Sequence, residues 1–338
     1  MADPTTFSSA KQFIGIGAET TQGTAVVPTV TVPVEKFDPQ DSYTWLDDQA
    51  LRGSMVEMYN RIQGVQKCEW SLSGPWFPDT FGYLAKNILG DVTTTGASAP
   101  YSHAISLLNT GASQPGSLTI TDYQGPTASV GARAYAGCVV SELTVKGNAE
   151  SSLITWDAKG MGWKSAAASV TPTSSPSTEV PFAAWRFQLG LAGPASGGTL
   201  VLTCGEFEIT IKRELQVIYT GQNAQTPFYI QRGKVGVAGK LKFTAPADEA
   251  ILNYMINNTQ PQAQIKFTNG VTPTSDAAYR ALTLNCQKAG FKNVKIDRGA
   301  VAVAYDGEFD AIANTTDAGA SAGYSPMKLT LSNAVATY

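Results

Sequence analysis

The sequence predicts a mainly β protein built as two tandem copies of one domain, each copy with a single short helix. Gly, Thr, Ser and Ala are abundant and only 15% of the 338 residues are charged, a composition that suits strands and turns better than long helices. A Ser/Thr/Pro-rich stretch, SAAASVTPTSSPSTEVP (165–181), lies near the midpoint and is typical of an exposed linker. The same order of strand, proline turn and helix occurs on both sides of it, which indicates a duplication.

The first element is the stretch FIGIGAETTQGTAVVP (13–28), which predicts an extended segment without a phosphate site. A dinucleotide-binding loop needs Gly-x-Gly-x-x-Gly followed by a helix. Here the third glycine comes only at Gly23, too late after Gly15 and Gly17. The residues that follow are β-branched and interrupted by proline, so no helix is expected.

In the first copy, residues 64–89 (GVQKCEWSLSGPWFPDTFGYLAKNIL) predict a strand, a proline turn and an amphipathic helix. Trp70 and Leu72 alternate onto one face of the strand. Asp79 is placed to cap the helix. Two further strands are predicted, AGCVVSELTVKG (136–147) and SLITWDAKG (152–160).

The second copy repeats this order. Residues 236–259 (GVAGKLKFTAPADEAILNYMINNT) again predict strand, turn and helix, with Leu241 and Phe243 on one strand face and Asp248 as the helix cap. Its two further strands are AGFKNVKIDRG (289–299) and AVAVAYDGEFDA (300–311).

The predicted organisation therefore has four parts. They are an N-terminal extended arm (1–30), a first domain (31–164) with an enlarged loop at 91–135, a linker (165–184) and a second domain (185–338).

Composition argues against several functional classes. The net charge of −3, with no basic tail or stripe, disfavours a protein that grips nucleic acid, because phosphate contacts need clustered Lys and Arg. It is compatible with a surface that nucleic acid slides past. No secretory signal and no apolar run of bilayer-spanning length is recognised, so no membrane partner is expected.

No catalytic, metal or cofactor site is predicted. Cys68, Cys138, Cys204 and Cys286 lack metal-type spacing and are expected to be buried thiols of a protein that folds in a reducing compartment. His103, the single histidine, lies in a polar stretch without a nucleophile motif, so we expect it at the surface. The chain is therefore not expected to be an enzyme.

The opening phrase FIGIGAETTQGTAVVPTVTVPVEKF is similar to the start of tail tube proteins of long, non-contractile-tailed bacteriophages, and residues 206–243 resemble the second long hairpin of that family. The resemblance implies tandem β-sandwich or half-barrel domains, each flanked by one helix. It also implies rings with six domains, in which long hairpins join edge to edge around a lumen and rings stack into the tube. Because the domain is doubled, the resemblance implies a trimeric pseudo-hexameric ring rather than a hexamer.

The resemblance also implies residue roles. The arm is expected to contact a neighbouring subunit, and we expect its removal to leave both domains folded. The arm residues are Phe13, Gly15, Gly17, Gly23, Val26, Val27 and Pro28. The expected ring-interface residues on the hairpins are Arg61, Val65, Trp70, Leu72, Tyr229, Val235, Leu241 and Phe243.

The implied partners are further copies of the chain, the tape measure protein, the baseplate or tail tip proteins and the tail terminator. Viral DNA is expected to pass without sequence-specific binding, through a neutral or acidic lumen. The implied location is the virion tail, assembled in the host cytoplasm. Two alternatives remain open: another virion structural protein (decoration or capsid-linked), or a tandem carbohydrate-binding or adhesin-like β module.

Overall fold

The computed structural model describes residues 8–127, 130–150, 152–168, 177–244, 250–270, 280–299 and 302–338. Strands dominate this part of the chain, and the two α-helices found in it are α1 (Gly82–Leu89) and α2 (Ala250–Ile256). The strands are β1 (Phe13–Ala18), β2 (Val30–Val32), β3 (Lys36–Asp48), β4 (Asn60–Pro75), β5 (Gly90–Thr95), β6 (Tyr101–Leu107), β7 (Leu118–Thr127), β8 (Val130–Asn148), β9 (Thr155–Gly162), β10 (Ala166–Ala167), β11 (Gln188–Leu191), β12 (Leu200–Val201), β13 (Cys204–Ile218), β14 (Tyr229–Thr244), β15 (Ala263–Thr268), β16 (Ala281–Cys286), β17 (Ala289–Asp297), β18 (Ala304–Ala311) and β19 (Lys328–Asn333). The predicted mainly β class is confirmed.

The larger sheet runs through both halves of the chain. Its antiparallel order is β3-β4-β9-β8-β13-β14-β18-β17. The first part of β8 carries a further extension, β7-β1-β2, and β10 pairs on its other side. Within the described residues the sheet does not close into a barrel.

The smaller sheet has the order β12-β11-β15-β16-β19-β6-β5 and is also antiparallel. One apolar core lies between the sheets and includes residues of α1 and α2. Aromatic rings connect its layers: the ring of Phe267 on β15 lies 6.2 Å from that of Phe207 on β13 and 5.7 Å from that of Trp76, which follows β4. Each such buried aromatic removes a large apolar area from water.

The two halves of the larger sheet have the same arrangement. In each, a long hairpin is followed by a helix and then by a second hairpin, and the sheet order of the four strands is first, second, fourth, third. The β-bulges also occur at matching places. They lie between Tyr43 and Trp45 in β3, between Arg213 and Leu215 in β13, between Val140 and Glu142 in β8, and between Phe291 and Asn293 in β17.

The expected enlarged loop (91–135) contains strands. Residues 90–107 form the β5–β6 hairpin, which takes the same place after α1 that the β15–β16 hairpin takes after α2. In the described part of the second half, β7 has no counterpart. Of the expected linker, residues 169–176 lie outside the described residues, whereas Phe182 is fully buried in the core.

Two expectations for polar residues are corrected. Asp79 accepts a hydrogen bond from Ser177 Oγ at 2.8 Å, while Phe81 occupies the N-cap position of α1 without a side-chain cap; Asp248 lies outside the described residues. His103 is fully buried, because β6 is an inner strand of the smaller sheet. Its Nδ1 lies 2.9 Å from Thr94 Oγ1 and its Nε2 lies 2.8 Å from the Val335 carbonyl oxygen.

The cysteines are free thiols, as expected. Cys68, Cys138 and Cys286 are buried and Cys204 is half-buried. Burial raises the pKa of the Cys68 thiol to about 12, so this thiol is a poor nucleophile at neutral pH.

The opening segment is part of the fold. β1 pairs with β7 and with β2 of its own chain, and Ile14 and Ile16 lie in the core. Pro28 packs directly over Gly15 and leaves no room there for a side chain. Gly23 adopts a φ of +86°, a backbone conformation that residues with a side chain rarely adopt. This placement argues against the expectation that both domains fold without the segment.

We predict that Ile16→Ala lowers the free energy of unfolding by about 2–5 kcal/mol, because it leaves a cavity under β1. Val27→Ala, at an exposed position of the same segment, is the control and should change it by less than about 0.5 kcal/mol. Chemical denaturation of both variants measures this. Equal, small effects would mean that β1 is not docked in solution.

Candidate assembly edges and channel surface

The larger sheet ends in two long strands that each have one neighbour within the described residues. β3 pairs with β4, and β17 pairs with β18. The outer backbone groups of both strands are therefore free to pair with another chain. Unprotected edges of this length are assembly or aggregation sites.

The two halves of the chain meet through such an edge pairing. β8, the third strand of the first half, pairs with β13, the first strand of the second half, from Glu142↔Lys212 to Asn148↔Glu206. Thr144 and Thr210 face each other in this junction, with 3.0 Å between their Oγ1 atoms. β8 and β17 are the third strands of their halves, and β13 and β3 are the first strands. The junction therefore shows, within one chain, how the edge of a third strand pairs with the edge of a first strand.

Apolar side chains at the open edges are less buried than those at the internal junction. In the junction, Leu143, Ile209 and Ile211 are at most 2% exposed. On the open edges, Phe37 of β3 and Ile296 of β17 are only half-buried, although both pack against the core. A neighbouring strand at each edge would complete their burial.

The outer face of the larger sheet is polar and its charges are paired across strands. The Nζ atoms of five lysines on this face lie within salt-bridge distance of carboxylate oxygens on neighbouring strands, whereas Lys242 and Lys295 form no ion pair within the described residues. The pairs are Lys146–Asp157 (2.7 Å), Lys159–Glu142 (3.2 Å), Lys212–Glu142 (3.0 Å), Lys240–Glu208 (3.9 Å) and Lys292–Asp310 (2.7 Å). An open groove of about 600 Å³ runs over this face, lined by residues of β8, β13, β14, β17 and β18.

Glu142 is the centre of this charge pattern because it binds two lysines. Partial burial would by itself raise the pKa of Glu142, but the hydrogen bonds from Lys212 and Lys159 outweigh this and hold the pKa below its usual value. The carboxylate is therefore ionised at neutral pH and neutralises much of the positive potential of both lysines.

The family model described as phage tail tube protein matches residues 9–311 of the chain. That range includes both long hairpins, both helices and both free edges. The chain belongs to the phage tail tube protein family. A search of the curated proteins found no match.

Family membership makes the chain a structural protein of the bacteriophage virion, located in the tail. It points to a structural rather than an enzymatic role. In the part of the chain that the structure describes, no helix is long and apolar enough to cross a membrane, and no group of three or more His, Cys, Asp or Glu side chains is arranged to hold a metal ion.

The hairpin residues expected at the ring interface separate into two groups. Trp70, Leu72, Leu241 and Phe243 are buried in the core, and their strands β4 and β14 lie inside the sheet with neighbours on both sides. Their side chains are therefore core residues of the tail tube fold. The remaining four are exposed or half-buried; they are Arg61, Val65, Tyr229 and Val235.

The arm residues also separate. Phe13, Gly15 and Gly17 lie in β1, and Gly23 packs against Trp163. Val27 is exposed, and Val26 and Pro28 are half-buried. Val27 is thus the arm residue with the most exposed apolar side chain.

The two hairpin tips differ. The tip of the β13–β14 hairpin contacts the first half, since Gln225 Nε2 donates to the Gln63 carbonyl oxygen at 2.6 Å and Gln66 N donates to the Gln225 carbonyl oxygen at 3.0 Å. The tip of the β3–β4 hairpin instead exposes large apolar side chains. They are Trp45, Leu46, Leu51, Met55, Val56, Met58 and Ile62.

Sequence reasoning missed the free edges and the charge-paired face. The period-two repetition of Glu206, Glu208, Thr210 and Lys212 along β13 is the signal that could have identified the polar face. The edges had no local signal, because which strand lies outermost depends on pairing between distant segments.

Two buried arginines fix the β13–β14 hairpin to the first half. Arg213 donates through Nη1 to the Ile88 carbonyl oxygen at 2.6 Å and through Nη2 to the Ser113 carbonyl oxygen at 3.0 Å. Arg232 donates through Nη2 to the Gly116 carbonyl oxygen at 3.1 Å. Burial lowers the pKa of both arginines to about 10, so they remain charged at neutral pH.

We predict that Arg213→Lys lowers the free energy of unfolding by about 1–3 kcal/mol, because an ammonium group cannot satisfy both carbonyl groups with the fixed fork of a guanidinium. The matched control is Arg61→Lys at an exposed position, which should cost less than about 0.5 kcal/mol. Thermal and chemical denaturation check the difference. Equal costs at the two positions would mean that Arg213 does not anchor the hairpin.

Proposed function

We propose that this tail tube protein assembles into rings by pairing the β17 edge of one chain with the β3 edge of the next, and that stacked rings form the conduit for genome delivery. The observation that carries the proposal is the β8·β13 junction, in which the same two kinds of edge already pair within one chain. A head-to-tail contact of this type closes into a ring when the rotation that relates neighbouring chains is a whole fraction of a full turn.

A ring of three chains fits this arrangement better than a ring of six. The matching strand orders and bulges support a duplicated domain, with a first domain at 31–164 and a second at 185–338 joined by the linker 165–184. Three chains then supply six domains and six similar junctions, of which three are internal. Each closed junction removes two free edges.

The polar face of the larger sheet is proposed to line the lumen. The opposite face of the larger sheet is covered by the core and the smaller sheet. Of the two faces of the larger sheet, therefore, only the polar one can border a water-filled channel. Five of its lysines are paired with carboxylates at short range, which lowers the attraction of the surface for phosphate groups. DNA can then pass without being held.

Other contacts complete the assembly. We assign the apolar tip of the β3–β4 hairpin, with Arg61 and Val65, and the exposed Val27 region of the arm to contacts with neighbouring chains. Further partners are the tape measure protein, the tail tip or baseplate proteins and the tail terminator. Assembly takes place in the host cytoplasm.

A carbohydrate-binding or adhesin-like module is the second candidate. Its supporting observation is the exposure of Trp45 and Trp185, since exposed aromatic rings commonly stack on sugars. However, Trp45 lies on β3 and Trp185 on a separate short 3-10 helix (Ala184–Arg186), and each is covered by an arginine, Arg61 and Arg186 respectively. Another structural role in the virion is the remaining alternative.

Negative-stain electron microscopy of the purified protein at high concentration tests the proposal. We expect hollow rings or tubes of even width whose end views show threefold or pseudo-sixfold symmetry. A protein that stays monomeric at every concentration and binds glycans in an array screen would favour the second candidate.

A second prediction concerns the lumen. Glu142→Gln removes the partner of Lys159 and Lys212, so assembled particles of this variant should bind duplex DNA severalfold more tightly at low ionic strength, with a steeper salt dependence. The control is Glu150→Gln, which changes the net charge equally on the exposed turn between β8 and β9. Fluorescence anisotropy with labelled DNA measures both. Equal affinities would contradict a lumenal role for this face.

A further inference from the structure

We propose that neighbouring chains pair β17 with β3 in the register of the internal β8·β13 junction, which places Lys295 of one chain directly opposite Gln40 of the next. The inference rests on the proposed ring and adds the register of its subunit contact. It follows from two correspondences between the halves, each anchored on a β-bulge.

The first correspondence relates β3 to β13. The bulge between Tyr43 and Trp45 matches that between Arg213 and Leu215. Counting back three residues from Tyr43 and from Arg213 gives Gln40 and Thr210. These two positions are therefore equivalent.

The second correspondence relates β8 to β17. The bulge between Val140 and Glu142 matches that between Phe291 and Asn293. Counting forward two residues from Glu142 and from Asn293 gives Thr144 and Lys295. These positions are equivalent in turn.

An independent pairing agrees with both correspondences. They make Trp70 equivalent to Gly239 and Gly160 equivalent to Phe309, and the structure pairs Trp70 with Gly160 and Gly239 with Phe309. A Cβ atom on Gly160 would overlap the indole of Trp70, and one on Gly239 would overlap the ring of Phe309. The same site in the two halves thus holds one large aromatic residue and one glycine, with their strands exchanged.

The transferred register is favourable on the core face of the sheet. Since Thr144 lies opposite Thr210 in the internal junction, Lys295 lies opposite Gln40 in the proposed one. On the core side Ile296 lies opposite Pro39, which covers the half-buried apolar surface of both edges. Pro39 has no backbone N–H to donate in this junction.

The polar side distinguishes this register from its main competitor. In the proposed register Asp297 lies opposite Asp38, with Lys36 and Lys295 as diagonal neighbours across the junction, within reach of long side chains. A shift of two residues would instead place Lys295 directly opposite Asp38 and Asp297 directly opposite Lys36. That shift pairs the charges directly but breaks the correspondence with the internal junction.

Mixed disulfide formation separates the two registers. Chains carrying Gln40→Cys are mixed with chains carrying Lys295→Cys, oxidised mildly and analysed on non-reducing gels. The matched controls are Asp38→Cys and Ser42→Cys, each mixed with Lys295→Cys, because positions 38, 40 and 42 alternate onto the same face of β3. The wild-type protein and each single variant control for the native cysteines.

We expect the mixed dimer of the 40/295 pair to exceed those of the 38/295 and 42/295 pairs severalfold. A larger or equal yield from the 38/295 pair would overturn the register, as would the absence of mixed dimers above the background of the wild type for all pairs. A mixed dimer needs one contact between two chains and no closed ring, so the register is tested separately from ring formation. Rings that form in electron microscopy but cross-link best through position 38 would support the proposed function and refute this register.

Discussion

The antiparallel pairing of β8 with β13 is the interaction on which the rest of the structure depends. It joins the two halves into one continuous sheet, so both helices and the smaller sheet pack against a single core. The same pairing leaves a strand with one unpaired edge at each far end of the described sheet, β3 and β17. Backbone groups that stay unpaired away from water are costly, and water satisfies them at an open edge only until another strand replaces it. The chain thus has a core of its own and, in the assembly that we propose, two edges that can pair with its own copies.

The division of the larger sheet into an apolar and a polar face follows from the alternation of side chains along each strand. The apolar face is already used by the second layer. The polar face carries ion pairs that are largely exposed to solvent, and such pairs contribute little to stability. In the lumen that we propose, this pairing limits the positive potential that the lysines would otherwise present to phosphate groups.

Local signals in the sequence were sufficient for the mainly β class, the strand before each helix and the position of each helix, because alternation and turn residues are local properties. They were insufficient for three placements. β1 is docked between β7 and β2, His103 is buried and β7 forms a strand inside a glycine- and serine-rich stretch. Each of these depends on pairing with residues far away in the chain. Trp70 and Leu241, expected at the ring interface, lie in the core of this chain, because alternation identifies a buried face but does not tell a core from an interface.

The repeat shows how the fold constrains pairs of residues more than single residues. The sequence comparison matched the Gly-Val phrase at Gly64 with that at Gly236, whereas the bulges align Gly64 with Gly233. The match from sequence is therefore offset by three residues from the structural alignment. The Gly-Val phrase gives the strongest local similarity, but it does not lie at structurally equivalent positions in the two halves. Trp70 over Gly160 and Phe309 over Gly239 occupy equivalent positions in the two halves, with the large residue on opposite strands. Close packing requires a small residue opposite a large one at such a site, so the two halves can differ in sequence at each position and still have the same strand order and bulges.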